Sequence, residues 1–74
     1  MKYLITVYDE DKNHIIEELE ENNWKMALQT SLLFSLIHEV EMIDNYTGEL
    51  HFSKKGIKQY LSTDARMAII NHLK

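Results

Sequence analysis

The sequence has no cysteine. That excludes a secreted disulfide scaffold, a cysteine-based zinc site and thiol catalysis. It has only two glycines, Gly48 and Gly56. They are too few and too scattered for a glycine-rich loop that cradles phosphates. Long hydrophobic runs are missing too. The greasiest stretch, residues 27–37, is broken by Gln29, Thr30, Ser31 and Ser35. It falls far short of the ~20 residues that span a bilayer. At the N-terminus the apolar run Tyr3-Leu4-Ile5 is interrupted by Thr6 and stops at Tyr8-Asp9, so no signal peptide is visible. The expectation is a soluble, cytoplasmic protein with no membrane partner.

The 74 residues suffice for one domain. A domain this small buries only about 60% of the surface its unfolded chain exposes. Its stability must come from good local structure, an efficient core or a partner chain. Hydrophobic residues make up 45% and charged residues 27%, which is a globular composition and argues against disorder.

The net charge of −4 hides a split. Residues 1–49 carry three lysines against eleven acids, a balance of −8. Residues 50–74 carry Lys54, Lys55, Lys58, Arg66 and Lys74 against Asp64 alone, a balance of +4. An asymmetry of this kind bears on the choice of partner.

Residues 2–8 alternate as a strand, with Tyr3, Ile5 and Val7 on one face. Residues 9–13 are polar and turn-like. Residues 14–21 fit two readings. As a helix, Ile15, Ile16 and Leu19 group opposite Glu17, Glu18 and Glu21. As a strand, they complete a hairpin with the first, which a lone strand needs; the hairpin is preferred. Asn22-Asn23 then caps a long helix from about residue 23 or 24 to about 38. On a helical wheel Trp24, Leu28 and Leu32 lie on one side, and Met26, Leu33 and Ile37 nearly opposite. The only small or polar line is Ala27, Ser31 and Ser35. A helix that is apolar nearly all round needs covering on more than one side. One means is a homodimer through this helix, with Trp24, Ala27, Leu28, Ser31 and Ser35 as its candidate face.

Residues 39–46 alternate again, and Asn45-Tyr46-Thr47-Gly48 is a hairpin turn closed by a left-handed glycine. Leu50 and Phe52 alternate after it. The remainder is read as helical. Ile57, Tyr60 and Leu61 have helical spacing, Ser62-Thr63-Asp64 is a cap, and Met67, Ile70 and Leu73 share a side. The expected class is α+β: a hairpin, a long helix, a hairpin and one or two short C-terminal helices (ββαββα), with the helix packed on a small antiparallel sheet. The domain would comprise a body over residues 1–53 and a basic helical tail over residues 54–74.

Motifs for chemistry are sparse. Residues 9–20 place Asp9, Asp11, Asn13, Ile15 (through its carbonyl), Glu17 and Glu20 at EF-hand ligand positions, which makes calcium binding a second, less favoured alternative, because His14 stands where the sharp turn requires glycine. His38-Glu39 opens a His-Glu-x-x-His pattern that ends in Met42. There is no nucleophile elbow. No catalytic residue, metal or cofactor is expected. Two binding readings remain. The acids Glu10, Asp11, Glu17, Glu18, Glu20 and Glu21 offer a face for a basic protein surface, such as that of a nucleic-acid-binding host protein, where they would stand in for phosphates. Alternatively, Lys54, Lys55, Lys58 and Arg66, with Tyr60 among them, offer phosphate contacts to a nucleic acid.

Three strings resemble those of small orphan accessory proteins of phages and mobile elements. They are Tyr3-Leu4-Ile5-Thr6-Val7-Tyr8-Asp9-Glu10-Asp11, Trp24-Lys25-Met26-Ala27-Leu28 and Ile43-Asp44-Asn45-Tyr46-Thr47-Gly48-Glu49. The resemblance covers about the first 53 residues and implies a hairpin, helix, hairpin plan. It also implies an accessory role, either as an inhibitor of a host defence, in the manner of an anti-CRISPR, or as a regulator. It carries over no functional residues, and the basic tail lies outside it.

Overall fold

The computed structural model describes residues 2–9 and 14–73. Strands β1 (Tyr3–Tyr8), β2 (Ile15–Glu21), β3 (Glu39–Asp44), β4 (Leu50–Lys55) and β5 (Lys58–Leu61) form one antiparallel sheet in the order β2-β1-β3-β4-β5. Helix α1 (Trp24–Phe34) joins β2 to β3, and α2 (Thr63–Leu73) ends the chain. The class is α+β, as expected. Both β2 and β3 run antiparallel to β1, which lies between them. The link through α1 is therefore a crossover, and it lays the helix over the centre of the sheet.

Residues 15–21 are a strand. Leu19 stands opposite Ile5 on the core side, and the glutamates fill positions that an edge strand leaves to water. Register assigns the two faces of the sheet. Tyr3, Ile5, Val7, Val40, Met42 and Phe52 are buried on the helix side, joined by Ala27 and Leu28 of α1 and Ala65 of α2. Among the described residues the other face carries no helix.

Three sequence expectations need correction. First, α1 stops at Phe34 and does not reach residue 38. Its N-terminus is the expected one, with the Asn23 side chain accepting the Met26 N–H at 3.1 Å. At the other end Leu36 and Ile37 donate to carbonyls three residues back, both at 3.2 Å. This tighter turn unwinds the helix toward β3. Lys54 Nζ donates to the Ser35 carbonyl, close to the negative end of the helix.

Second, Lys58–Leu61 is strand β5, where helical spacing predicts helix. Gly56, at φ +62°, allows a two-residue turn between Lys55 and Lys58. Tyr60 then pairs with Ser53 and Leu61 with Phe52. The helical part of the tail begins only at Thr63, and a boundary after Ser53 falls inside β4. Ser62 caps α2, its Oγ accepting the Ala65 N–H at 3.2 Å.

Third, the small line of α1 is not a free dimer face. Ala27, Leu28, Ser31 and Ser35 are buried in the chain's own structure, and Trp24 is half-buried. Small side chains let the helix backbone approach the sheet closely. Ser31 satisfies its buried hydroxyl by donating to the Ala27 carbonyl at 2.8 Å. Leu28 packs inward beside the small residues, whereas Leu33 and, in the turn after the helix, Leu36 and Ile37 point outward, 68%, 76% and 71% exposed.

Candidate binding surfaces

Strand alternation divides the acidic cluster. Glu18 pairs with Thr6 and Glu20 with Leu4, so both stand on the open face. Glu17 pairs with Val7 and Glu21 with Tyr3, so both stand on the helix side, at the sheet's edge. Glu10 and Asp11 lie outside the described residues. The same alternation rules out the EF-hand geometry, because Glu17 and Glu20 point to opposite faces of one strand and cannot converge on a cation. No group of three or more His, Asp or Glu among the described residues is placed to hold a metal. No helix among them is long and apolar enough to cross a membrane.

The open face gathers a second set of acids that sequence reasoning missed. Glu39 and Glu41 of β3 share it with Glu18 and Glu20. Their signal was available in the alternation of residues 39–46, but their nearness to β2 depends on β1 lying between. Lys2 reaches Glu20 at 3.2 Å in an exposed pair, worth at most about 1 kcal/mol. Tyr8 records the local field. Burial first, then the charges of Glu41 and Glu18, raise its phenol above the ordinary 10.0, and a hydrogen bond with Thr6 partly offsets them.

A pH titration tests this arrangement. Tyr8, isolated as the difference between wild type and Tyr8→Phe in ultraviolet absorbance, should ionise above the ordinary tyrosine range. In Glu18→Gln/Glu41→Gln its pKa should fall toward 10.0 without reaching it, because burial remains. An unchanged titration would show that these carboxylates do not act on Tyr8. A phenol with a raised folded pKa contributes stability below its unfolded pKa, and that contribution is lost as pH rises through the folded value.

The basic candidates are also divided. Lys54 faces the helices and is engaged by the Ser35 carbonyl. Lys55 and Lys58 pair across the β4–β5 hairpin. Arg66 sits apart, on α2. A fully exposed Ile57 stands at the hairpin tip.

Between α1 and α2 runs an open groove of about 910 Å³. A bulge in β4 builds its floor: Phe52 pairs with Met42 and Leu50 with Ile43, leaving His51 as the extra residue. Both His51 and Phe52 are buried. The His51 ring meets Tyr3 and Trp24 edge-on, at centroid distances of 5.7 and 6.1 Å. Trp24 Nε1 donates to His51 Nδ1 at 3.2 Å. That bond fixes Nδ1 as the acceptor and ties α1 to the sheet. The other ring nitrogen, Nε2, lies 3.9 Å from Glu49 Oε2. Beside it, Asp44 Oδ1 accepts the N–H groups of Tyr46 at 2.8 Å and Thr47 at 3.1 Å, which holds its carboxyl below the ordinary range. Gly48, at φ +78°, closes that turn as the sequence suggested. His51 and Asp44 are thus occupied in bracing the structure.

No family model, curated protein or solved structure matches the chain. The reading of function rests on the surfaces themselves.

Proposed function

We propose that the chain is a non-catalytic protein-binding module, an inhibitor or regulator that engages a basic surface of its target through β2. The observation that carries this reading is the position of β2. It is an edge strand of the sheet, and every charged side chain on it is a glutamate. An edge offers backbone donors and acceptors for an added strand. Four carboxylates along it select a cationic partner and repel acidic ones. A protein that holds nucleic acid in a basic channel has the required chemistry, with the glutamates of β2 taking the place of phosphates. The accessory role implied by the resemblance to phage proteins, including inhibition of a host defence, is compatible with such a target.

The alternative, nucleic-acid binding, has less support. Of its four candidate residues, Lys54 is engaged within the fold and Arg66 lies on a different element from Lys55 and Lys58.

The test is capture from a bacterial lysate on the immobilised chain, with bound proteins identified by mass spectrometry. Wild type should retain a basic protein that elutes as salt is raised. The Glu17→Lys/Glu18→Lys/Glu20→Lys/Glu21→Lys variant should lose it, and Lys55→Glu/Lys58→Glu should keep it. Retention of the same protein by the four-fold reversal would overturn the role of β2. Salt-dependent binding of a DNA or RNA duplex, lost in Lys55→Glu/Lys58→Glu, would favour the alternative.

A further inference from the structure

We propose that the open face of the sheet pairs with a second copy of this chain, about a two-fold axis that runs along the strands at the β3–β4 boundary. The inference uses a different surface from β2 and stands apart from the function proposed above.

The open face is polarised across its width. On one side of the β3–β4 boundary lie Glu18, Glu20, Glu39 and Glu41; on the other lie Lys55 and Lys58. At one end of the boundary sits the apolar pair Ile43 and Leu50, both half-buried. Two such faces can stack with a two-fold axis either across the strands or along them. An axis across the strands sets each strand over its own copy, so β2 carboxylates meet β2 carboxylates and lysines meet lysines. An axis along the strands reverses their order while keeping each cross-strand row in place. If that axis passed through β3, Glu39 and Glu41 would face themselves.

At the β3–β4 boundary the conflict disappears. Ile43 then faces Leu50 of the second copy, Glu39 faces Lys55, and Tyr8 faces Lys58. Each contact occurs twice, as two-fold symmetry requires. The rows follow from the pairings Ile43 with Leu50, Tyr8 with Glu39 and Lys55 with Lys58, and from Val40 with Lys54, which sets Glu39 beside Lys55; within the chain Glu39 Oε1 also accepts the Gly56 N–H at 3.1 Å. Aligned stacking of this kind is a standard way for sheets to meet face to face. Four strands and three rows give a footprint of about 19 × 20 Å. That is small beside the ~800 Å² per partner of stable complexes, so the dimer is reversible and forms at high protein concentration. The acids of β2 fall outside the footprint and stay open to a target.

Sedimentation equilibrium at low ionic strength tests the proposal on the whole chain. Wild type should pass from the 8.8 kDa monomer to twice that mass as concentration rises to several hundred micromolar. Glu39→Lys and Lys55→Glu should each weaken the dimer roughly tenfold, since each turns two opposite-charge contacts into like-charge ones. An equal mixture of the two variants should restore association, because every contact in the heterodimer is again of opposite sign. That restoration would also show that both variants fold. A wild type that stays monomeric throughout overturns the proposal. So does a dimer that neither reversal weakens, or one abolished by Leu33→Asp/Leu36→Asp, which would place the contact on α1 and the turn that follows it.

Discussion

Phe52→Ala is expected to leave the chain mostly unfolded or close to its midpoint at 25 °C. Phe52 is the largest fully buried side chain among the described residues. It packs where β3, β4 and β5 meet, pairing with Met42 on one side and Leu61 on the other. Truncating a buried phenylalanine costs about 3–5 kcal/mol. At roughly 0.05–0.15 kcal/mol per residue, that is a large part of what a domain of this size has. The bulge makes recovery harder, because His51 beside it is held by Trp24 and has little freedom to fill the gap. Circular dichroism with urea unfolding should show a strongly lowered midpoint or no cooperative transition. A loss under 1 kcal/mol would mean that the core is not organised around Phe52.

Ser31→Leu comes next in size. It asks whether the small line of α1 is a packing surface. Ser31 is fully buried beside Ala27, facing the sheet. A leucine there must push the helix outward or force strained rotamers, at a cost of about 1–3 kcal/mol. The hydroxyl adds little to this, since its hydrogen bond stays within the helix. Leu33→Ala, two positions on but exposed, should cost less than about 0.5 kcal/mol. If Ser31→Leu were instead as stable as wild type and more strongly dimeric, the small line would face a partner after all.

These two residues also show how far the sequence can be read. The alternation of Tyr3, Ile5 and Val7, the cap at Asn23, the Gly48 turn and the cap at Ser62 are local signals, and each appears in the structure where local chemistry puts it. The buried side of α1 was not readable in that way. With large residues nearly all round the helix, the small line was read as a dimer face, whereas it lies with Leu28 on the inner face against the chain's own sheet. Helical spacing at Ile57, Tyr60 and Leu61 concealed β5, because Ile57 belongs to a turn and contributes nothing to the core. The candidate surfaces were legible as lists of charges but not as faces. Whether Glu17 and Glu18 act together depends on strand or helix geometry. That Glu41 joins Glu18 depends on β1 lying between their strands.

The position of β1 also sets an order of events. It precedes the other four strands in the chain but lies inside the sheet, and its pairing of Tyr3 with Asp44 closes a loop of about forty residues. Until β3 leaves the ribosome, β1 has only the β2 hairpin for company, and an isolated hairpin is marginal in water. The β3–β4–β5 meander, by contrast, is joined by short turns and can assemble from neighbours alone. Folding during synthesis should therefore wait for the middle of the chain, and the N-terminal strand should be among the last to lock.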